Sequence, residues 1–233
     1  MSDALFYIIA LAATGYFFWM WLQDYRANVR ALEAATDGGS TEPAAESIER
    51  ICQGGLPGAT PVGIAAVAIA IVGALGLLSV EVAGEYQLDV VNEQTEMPLL
   101  LGIYSLAAAF VEELIFRGFL YYDRGGKWKL YASIVLISLV FALIHPYIWK
   151  YEVPEGEPPW FFWKWLSLNV NTKSLFSTAI LFFNSLWFYF VRFFRLNPYR
   201  SLIPCFAAHL ASNLGVFVVK ACQGFVVWGL DAA

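Results

Sequence analysis

Residues 98–122 read PLLLGIYSLAAAFVEELIFRGFLYY. This stretch is long enough to cross a bilayer, because a transmembrane helix needs ~20 mainly apolar residues. It nevertheless carries two adjacent carboxylates and a guanidinium, from Glu112, Glu113 and Arg117. A charged side chain at the centre of a bilayer costs roughly 2.5–3.5 kcal/mol on insertion scales. The stretch therefore predicts a transmembrane helix that contributes charged groups to a polar site inside a membrane protein.

The rest of the chain is also strongly apolar. Hydrophobic residues make up 59% of its 233 residues and charged residues 14%, against about 25% charged in a typical soluble domain. Six apolar segments have spanning length or nearly so, at 4–22, 60–80, 98–122, 131–149, 174–194 and 201–219. We therefore predict an all-α fold, a polytopic transmembrane helical bundle of about six spans within the lipid bilayer. The net charge of -5 does not indicate a nucleic-acid partner.

A polar stretch separates the first apolar segment from the others. The run at 4–22 follows a start without Lys or Arg and exceeds the usual signal-peptide core of about 7–15 residues, so we expect a retained span. Residues 26–35 can continue this helix, and the turn formers TDGGSTEP at 36–43 favour its end. We predict two parts: the first span with a linker at 1–57, and a core at 58–233.

Basic residues are distributed unevenly over the predicted loops. One side carries nine of them: Arg26, Arg30, Arg50, Arg124, Lys127, Lys129, Arg192, Arg195 and Arg200. The other side carries four: Lys150, Lys164, Lys173 and Lys220. Because cytoplasmic loops are enriched in Lys and Arg, we predict an N-terminus outside, a cytoplasmic linker and a plasma (inner) membrane location. Arg192 and Arg195 are expected to anchor a helix end with their charged heads in water.

The two adjacent glutamates are expected to have different partners. Residues four apart nearly eclipse on a helix, whereas neighbours are separated by roughly 100°. Glu113 therefore faces the same way as Arg117 and is predicted to form an internal ion pair with it. Glu112 points elsewhere, and a carboxylate without a cationic partner can act as a general base toward water. A simple ion-pair staple would require only one of the two carboxylates.

Two further patterns place both histidines of the chain inside apolar spans. Phe141 and His145 are four residues apart, so an aromatic ring can fix the orientation of the imidazole. His209 and Asn213 have the same spacing and offer two donors side by side, as a developing oxyanion requires. A single intramembrane histidine often serves only as a hydrogen-bonding contact between helices. The three patterns together favour a polar catalytic site.

These three motifs, EExxxRG at 112–118, FxxxH at 141–145 and HxxxN at 209–213, resemble the motif set of the CAAX protease and bacteriocin-processing (Abi) family. Its members are intramembrane glutamic endopeptidases, of which the type II CAAX prenyl endopeptidase is best known. The resemblance covers about residues 98–219 and implies that 58–233 is an intramembrane protease core. It also implies that the substrate is a membrane-associated protein or peptide.

The resemblance assigns a role to each motif residue. Glu112 and His145 would activate a water that attacks the scissile peptide bond, and His209 and Asn213 would stabilise the oxyanion. The supporting residues would be Glu113, Arg117 and Phe141. No cofactor is implied.

Two other interpretations of the same residues remain open. Glutamate and histidine chains inside membranes also form proton relays, so a proton- or ion-coupled transport protein is the alternative function, although no inverted repeat is visible. Two histidines and a glutamate could also ligate zinc. There is no HExxH pair, and Arg117 beside the carboxylates disfavours a cation, so we predict no metal. The widely spaced Cys52, Cys205 and Cys222 indicate neither a thiolate site nor a disulfide framework.

Overall fold

The computed structural model describes residues 3–37, 55–154, 156–158, 160 and 162–228. Its helices are α1 (Asp3–Asp37), α2 (Ile64–Gln87), α3 (Leu99–Glu113), α4 (Lys127–Ile144), α5 (Phe162–Trp165), α6 (Thr172–Phe193) and α7 (Ile203–Gln223). Within the described ranges, six helical stretches are long and apolar enough to cross a membrane, and they match the six predicted segments. The prediction of a polytopic helical bundle is confirmed.

The first and last helices extend the predicted spans. α1 continues to Asp37, as the sequence allowed. Most of the predicted linker, residues 38–54 with Cys52, lies outside the described residues. α7 ends at Gln223 because Gly224 adopts a left-handed conformation with φ 83°, which only glycine reaches without strain.

The spacing between Phe141 and His145 had predicted that both lie on one helix. His145 instead lies just beyond the end of that helix. α4 runs from Lys127 to Ile144, and His145 has extended backbone angles, φ −76° and ψ 141°. The residue that follows is Pro146. A proline disfavours the helical conformation of the residue before it, so the helix ends before His145. The predicted span 131–149 is therefore displaced toward the N-terminus.

The segment that carries Arg117 is not a regular α-helix. α3 ends at Glu113 and continues as a π-helical turn over Leu114–Phe119, here called the π-turn. The amide of Leu120 donates to Ile115 O at 3.0 Å, across the five-residue spacing that defines such a turn. The sequence had predicted an uninterrupted α-helix over 98–122.

Short strands supplement the helices. β1 (Met97–Pro98) pairs in parallel with β4 (Val226–Val227). β2 (Trp149–Tyr151) pairs antiparallel with β3 (Leu166–Leu168). Both pairs have only two strands, so the all-α assignment holds.

The chain divides into two compact units. The first comprises residues 1–76, 95–121 and 187–233, and the second comprises 77–94 and 122–186. The buried core of the first unit includes Trp21, Ala70, Phe110, Phe188, Leu202, Cys205 and Ala208. In the second unit, Glu85 forms an ion pair with Lys173 and accepts a hydrogen bond from Gln94 at 2.6 Å.

In the first unit, the segment Leu56–Thr60, here called the strap, hydrogen-bonds both to α1 and to the residues just before α7. Three side chains of α1 hydrogen-bond to the backbone of the strap at 2.7–3.2 Å. Trp21 Nε1 donates to Pro57 O, Asn28 Nδ2 donates to Ala59 O, and Asp24 Oδ2 accepts from Leu56 N. On the other side, Leu202 N donates to Gly58 O at 3.0 Å and Ser201 Oγ donates to Thr60 O at 2.6 Å. The strap thus has hydrogen-bonding partners on both sides.

Arg192 was predicted to reach water at a helix end, and this prediction is wrong. The residue lies under the strap and is buried. Its side chain is only 3% exposed, whereas Arg195 is exposed. Gly58 has φ +65°, and a Cβ there would lie 2.4 Å from Arg192 Nη1. The absence of a side chain at residue 58 therefore lets the strap lie close over the guanidinium.

Small residues on α2 allow Trp187 of α6 to approach its backbone. Ala66, Ala70 and Ala74 are buried, and Trp187 Nε1 donates to Ala70 O at 3.0 Å. This contact agrees with the close-packing role that small residues commonly have between membrane helices.

Replacing Gly73 by alanine should destabilise this contact. The new Cβ would lie 2.0 Å from Trp187 Cζ2, and the ring is held by its hydrogen bond to Ala70. Overpacking of this kind costs about 1–3 kcal/mol. Gly76→Ala is the matched control on the same helix, since its Cβ would meet nothing within 4 Å and alanine favours helix by up to ~1 kcal/mol. The midpoint of thermal unfolding in detergent should fall for Gly73→Ala alone; equal midpoints would contradict the contact.

Candidate active site

A buried ion pair lies where α3 passes into the π-turn. Arg117 Nη1 donates to Glu113 Oε1 at 3.0 Å, and both side chains are 0% exposed. The predicted pairing of these two residues is therefore present. A buried charge requires such a partner, because removing either ion from water costs several kcal/mol.

His209 extends this pair into a cluster. Its Nδ1 lies 2.7 Å from Glu113 Oε1, and α7 positions the ring against α3. An ionised carboxylate only accepts hydrogen bonds, so Nδ1 carries the proton and donates it. Glu113 Oε1 thus accepts from both Arg117 and His209. Nothing in the spacing of the sequence predicted this contact between the second and third motifs.

Glu112 lies on the other side of the same imidazole. Its Oε2 is 3.9 Å from His209 Nε2, which is beyond hydrogen-bonding distance. The side chain is 32% exposed, but Oε2 itself is buried and accepts no hydrogen bond from the described residues. Among the described residues, Glu112 Oε2 therefore lacks the hydrogen-bonded cationic partner that Glu113 has in Arg117. We call Glu112, Glu113, Arg117 and His209 the carboxylate–histidine cluster.

Asn213 is held beside α3 in the same unit. It lies four residues after His209 on α7, and its Nδ2 donates to Ser105 O at 2.8 Å. This bond uses one of the two amide hydrogens and leaves the other available to a ligand. The first unit therefore contains five of the predicted site residues, contributed by α3, the π-turn and α7.

Two aromatic residues of α6 that the sequence analysis did not single out contact the cluster. The Phe188 ring stacks on His209, with centroids 4.9 Å apart and planes at 24°. Arg117 Cζ lies 5.1 Å from the Phe188 centroid and 5.2 Å from that of Tyr189. The span at 174–194 is rich in aromatic residues, so nothing local distinguishes these two.

Phe141 and His145 lie in the second unit. Their ring centroids are 4.7 Å apart, as the motif predicted, and Phe141 is buried. His145 Nδ1 lies 2.7 Å from Phe141 O. A carbonyl only accepts, so Nδ1 carries the proton, and in the neutral ring Nε2 is the nitrogen that can accept one.

In the part of the chain that the structure describes, the cysteines and potential metal ligands add no further site. Within the described residues Cys205 and Cys222 are both free thiols. In the same part of the chain, no group of three or more His, Cys, Asp or Glu side chains is arranged to hold a metal ion.

Comparison with known families identifies the chain. A sequence model of the family described as type II CAAX prenyl endopeptidase Rce1-like matches residues 94–215, a range that includes all three motifs. A comparison with curated proteins gave no significant match, and neither did a comparison with solved structures. The family implies a protease with a protein or peptide substrate, and the six apolar helices agree with its membrane location. The chain therefore belongs to the Rce1-like family of type II CAAX prenyl endopeptidases and is an integral, multi-pass membrane protein.

Proposed function

We propose that the protein is an intramembrane endopeptidase that hydrolyses a peptide bond in a membrane-associated protein or peptide, with a water activated by Glu112. The observation that carries this proposal is the difference between the two adjacent carboxylates. Glu113 accepts from Arg117 and His209, whereas Glu112 Oε2 is buried without a donor among the described residues. A general base must keep a lone pair available for the proton that it removes.

The hydrolysis can be written with each proton accounted for. Glu112 takes one proton from the water, and the hydroxide attacks the peptide carbonyl carbon to form a tetrahedral oxyanion. When the C–N bond breaks, the amine leaving group takes that proton back from Glu112. His145, whose Nε2 can accept a proton, is proposed as the partner of Glu112 in activating the water. This pairing follows the family resemblance of the motifs.

His209 and Asn213 are the proposed oxyanion donors. Because His209 Nδ1 already donates to Glu113, Nε2 can donate as well only when the ring is an imidazolium. The cluster would then hold two carboxylates, a guanidinium and an imidazolium, with no net charge. Donors that are fixed before the reaction begins stabilise an oxyanion by about 2.7–4 kcal/mol each.

A reconstituted cleavage assay tests the proposal. Purified wild-type protein in phospholipid vesicles is given a labelled prenylated peptide that ends in a CAAX sequence, and the same peptide without the prenyl group. We expect the wild-type protein to cleave at least one of the two peptides and Glu112→Gln to cleave neither. Comparison of the two peptides shows whether the prenyl group is required. Comparative proteomics of membranes with wild-type and Glu112→Gln protein would identify natural substrates. Glu112-dependent movement of protons or ions across the vesicles, without cleavage of any peptide, would favour the transport alternative.

Cleavage is expected to be independent of metal. Glu113 Oε1 is occupied by two N–H donors and a guanidinium lies in the cluster, so a divalent cation would meet a positive charge there. Activity measured after extended dialysis against a strong chelator should equal the untreated value, and metal analysis of the purified protein should find no stoichiometric zinc. Loss of activity that zinc restores would overturn this prediction.

The proposal also includes the domain limits and the membrane topology that the sequence predicts. The protease core at 58–233, preceded by the first span and its linker at 1–57, stays a prediction. The cytoplasmic position of the linker, the outer position of the N-terminus and the plasma membrane location also stay predictions.

A further inference from the structure

The π-turn ends the helix that begins with α3, and the last carbonyls of any helix lack intrahelical donors. π-helical turns are rare, occur mostly as single turns within α-helices and are frequent at functional sites. The five-residue spacing interrupts the regular ladder, so carbonyls near the end of the turn need other donors. Such groups are especially costly inside a membrane, where water cannot replace the missing bond.

Tyr189 of α6 supplies that donor. Its hydroxyl lies 2.7 Å from Phe116 O and 2.5 Å from Leu120 O. The side chain is 0% exposed, so water does not compete for the hydroxyl. A phenol has one hydrogen, which the two carbonyls share or take in turn. One side chain therefore satisfies the backbone on both sides of Arg117.

The same tyrosine also contacts the side chain of Arg117. The guanidinium carbon lies 5.2 Å from the centroid of the Tyr189 ring, within the range of a cation–π interaction. Arg117 in turn donates to Glu113 Oε1, which accepts from His209. A continuous series of contacts thus leads from Tyr189 to the imidazole beside Glu112.

We propose that Tyr189 is a positioning residue of the active site. Its hydroxyl holds the π-turn in the geometry that places Arg117 on Glu113, and thereby fixes the ring of His209. Without the hydroxyl, the turn loses its hydrogen bonds to α6 and can shift, which displaces the Arg117 guanidinium from the position in which it donates to Glu113. The catalytic part of this inference rests on the proposed function; the structural part does not.

Tyr189→Phe tests the inference because it removes the hydroxyl and keeps the ring that contacts Arg117. The matched control is Tyr25→Phe in the same unit. Tyr25 stacks on Trp21 with centroids 5.6 Å apart, and its hydroxyl makes no hydrogen bond within the described residues. Two quantities are measured on full-length protein: steady-state cleavage of the prenylated peptide in vesicles, and amide hydrogen exchange of fragments that cover 114–121.

Tyr189→Phe is expected to lower kcat roughly 10- to 100-fold, as small displacements of catalytic groups do. KM should stay within about twofold, because substrate binding is not altered. Exchange in 114–121 should become faster, and Tyr25→Phe should change neither quantity. Wild-type kcat in Tyr189→Phe overturns the inference, and so does unchanged exchange at 114–121. If wild-type and Glu112→Gln protein both fail to cleave, the proposed function fails separately, and exchange alone decides whether Tyr189 holds the turn.

Discussion

Glu112→Gln is expected to abolish peptide cleavage while the protein still inserts and folds. Glutamine has nearly the same shape as glutamate but cannot accept the proton of the attacking water. General-base catalysis contributes typically about 10²–10⁴-fold to the rate, so turnover should fall by at least about a hundredfold. Because Glu112 Oε2 accepts no hydrogen bond from the described residues, the substitution breaks no hydrogen bond at that atom. Cleavage rates in vesicles, with the folded fraction measured by gel filtration, test this prediction.

Glu96→Gln is the matched control for this substitution. Glu96 lies in the same unit but is exposed and lies before the start of α3, so the same loss of charge should leave the rate unchanged. Wild-type turnover by Glu112→Gln would end the proposed mechanism. An equal loss of turnover in both variants would instead point to a general effect of charge.

Arg117→Met is expected to cause the largest loss of stability. Both members of the Glu113–Arg117 pair are 0% exposed, so the substitution leaves a buried carboxylate whose remaining hydrogen-bond partner among the described residues is His209. Breaking a buried ion pair by removing one partner costs about 3–5 kcal/mol. The midpoint of thermal unfolding in detergent should therefore fall well below that of the wild type.

The double variant Arg117→Met, Glu113→Gln separates lost charge balance from lost packing. Replacing both members of a buried pair is far less costly than removing one, so the double variant should recover part of the lost stability. Arg124→Met, at an exposed position, serves as control and should change the free energy of unfolding by no more than about 0.5 kcal/mol. If Arg117→Met is as stable as Arg124→Met, the ion pair does not support the fold.

Properties that depend on length or on local spacing could be predicted from the sequence. The six spans follow from the length of apolar runs, which the bilayer sets. The Glu113–Arg117 pair follows from a spacing of four, because either kind of helical turn brings such residues to nearly the same side. The end of α4 also had a local signal, since Pro146 follows His145. At His145 the preference for extended backbone before a proline outweighs the helical spacing from Phe141.

Properties that depend on tertiary contacts could not be predicted. The π-turn depends on a hydroxyl of α6, some seventy residues further along the chain. The contact between His209 and Glu113 depends on how α7 packs against α3. Arg192 was assigned to the water interface because it lies near a helix end, but the strap covers it. In each case the deciding neighbour is distant in sequence, so no local pattern marks the residue.

The strap has a consequence for the minimal active fragment. The matched region begins at residue 94, whereas the strap and the three α1 side chains that bind it all precede that point. A truncated protein that starts at residue 94 would lose the cover of the Arg192 guanidinium and the acceptor for the Leu202 amide at the entrance to α7. His209 is carried by that same helix. The N-terminal span is thus a structural part of the hydrolase and cannot be treated as a detachable anchor.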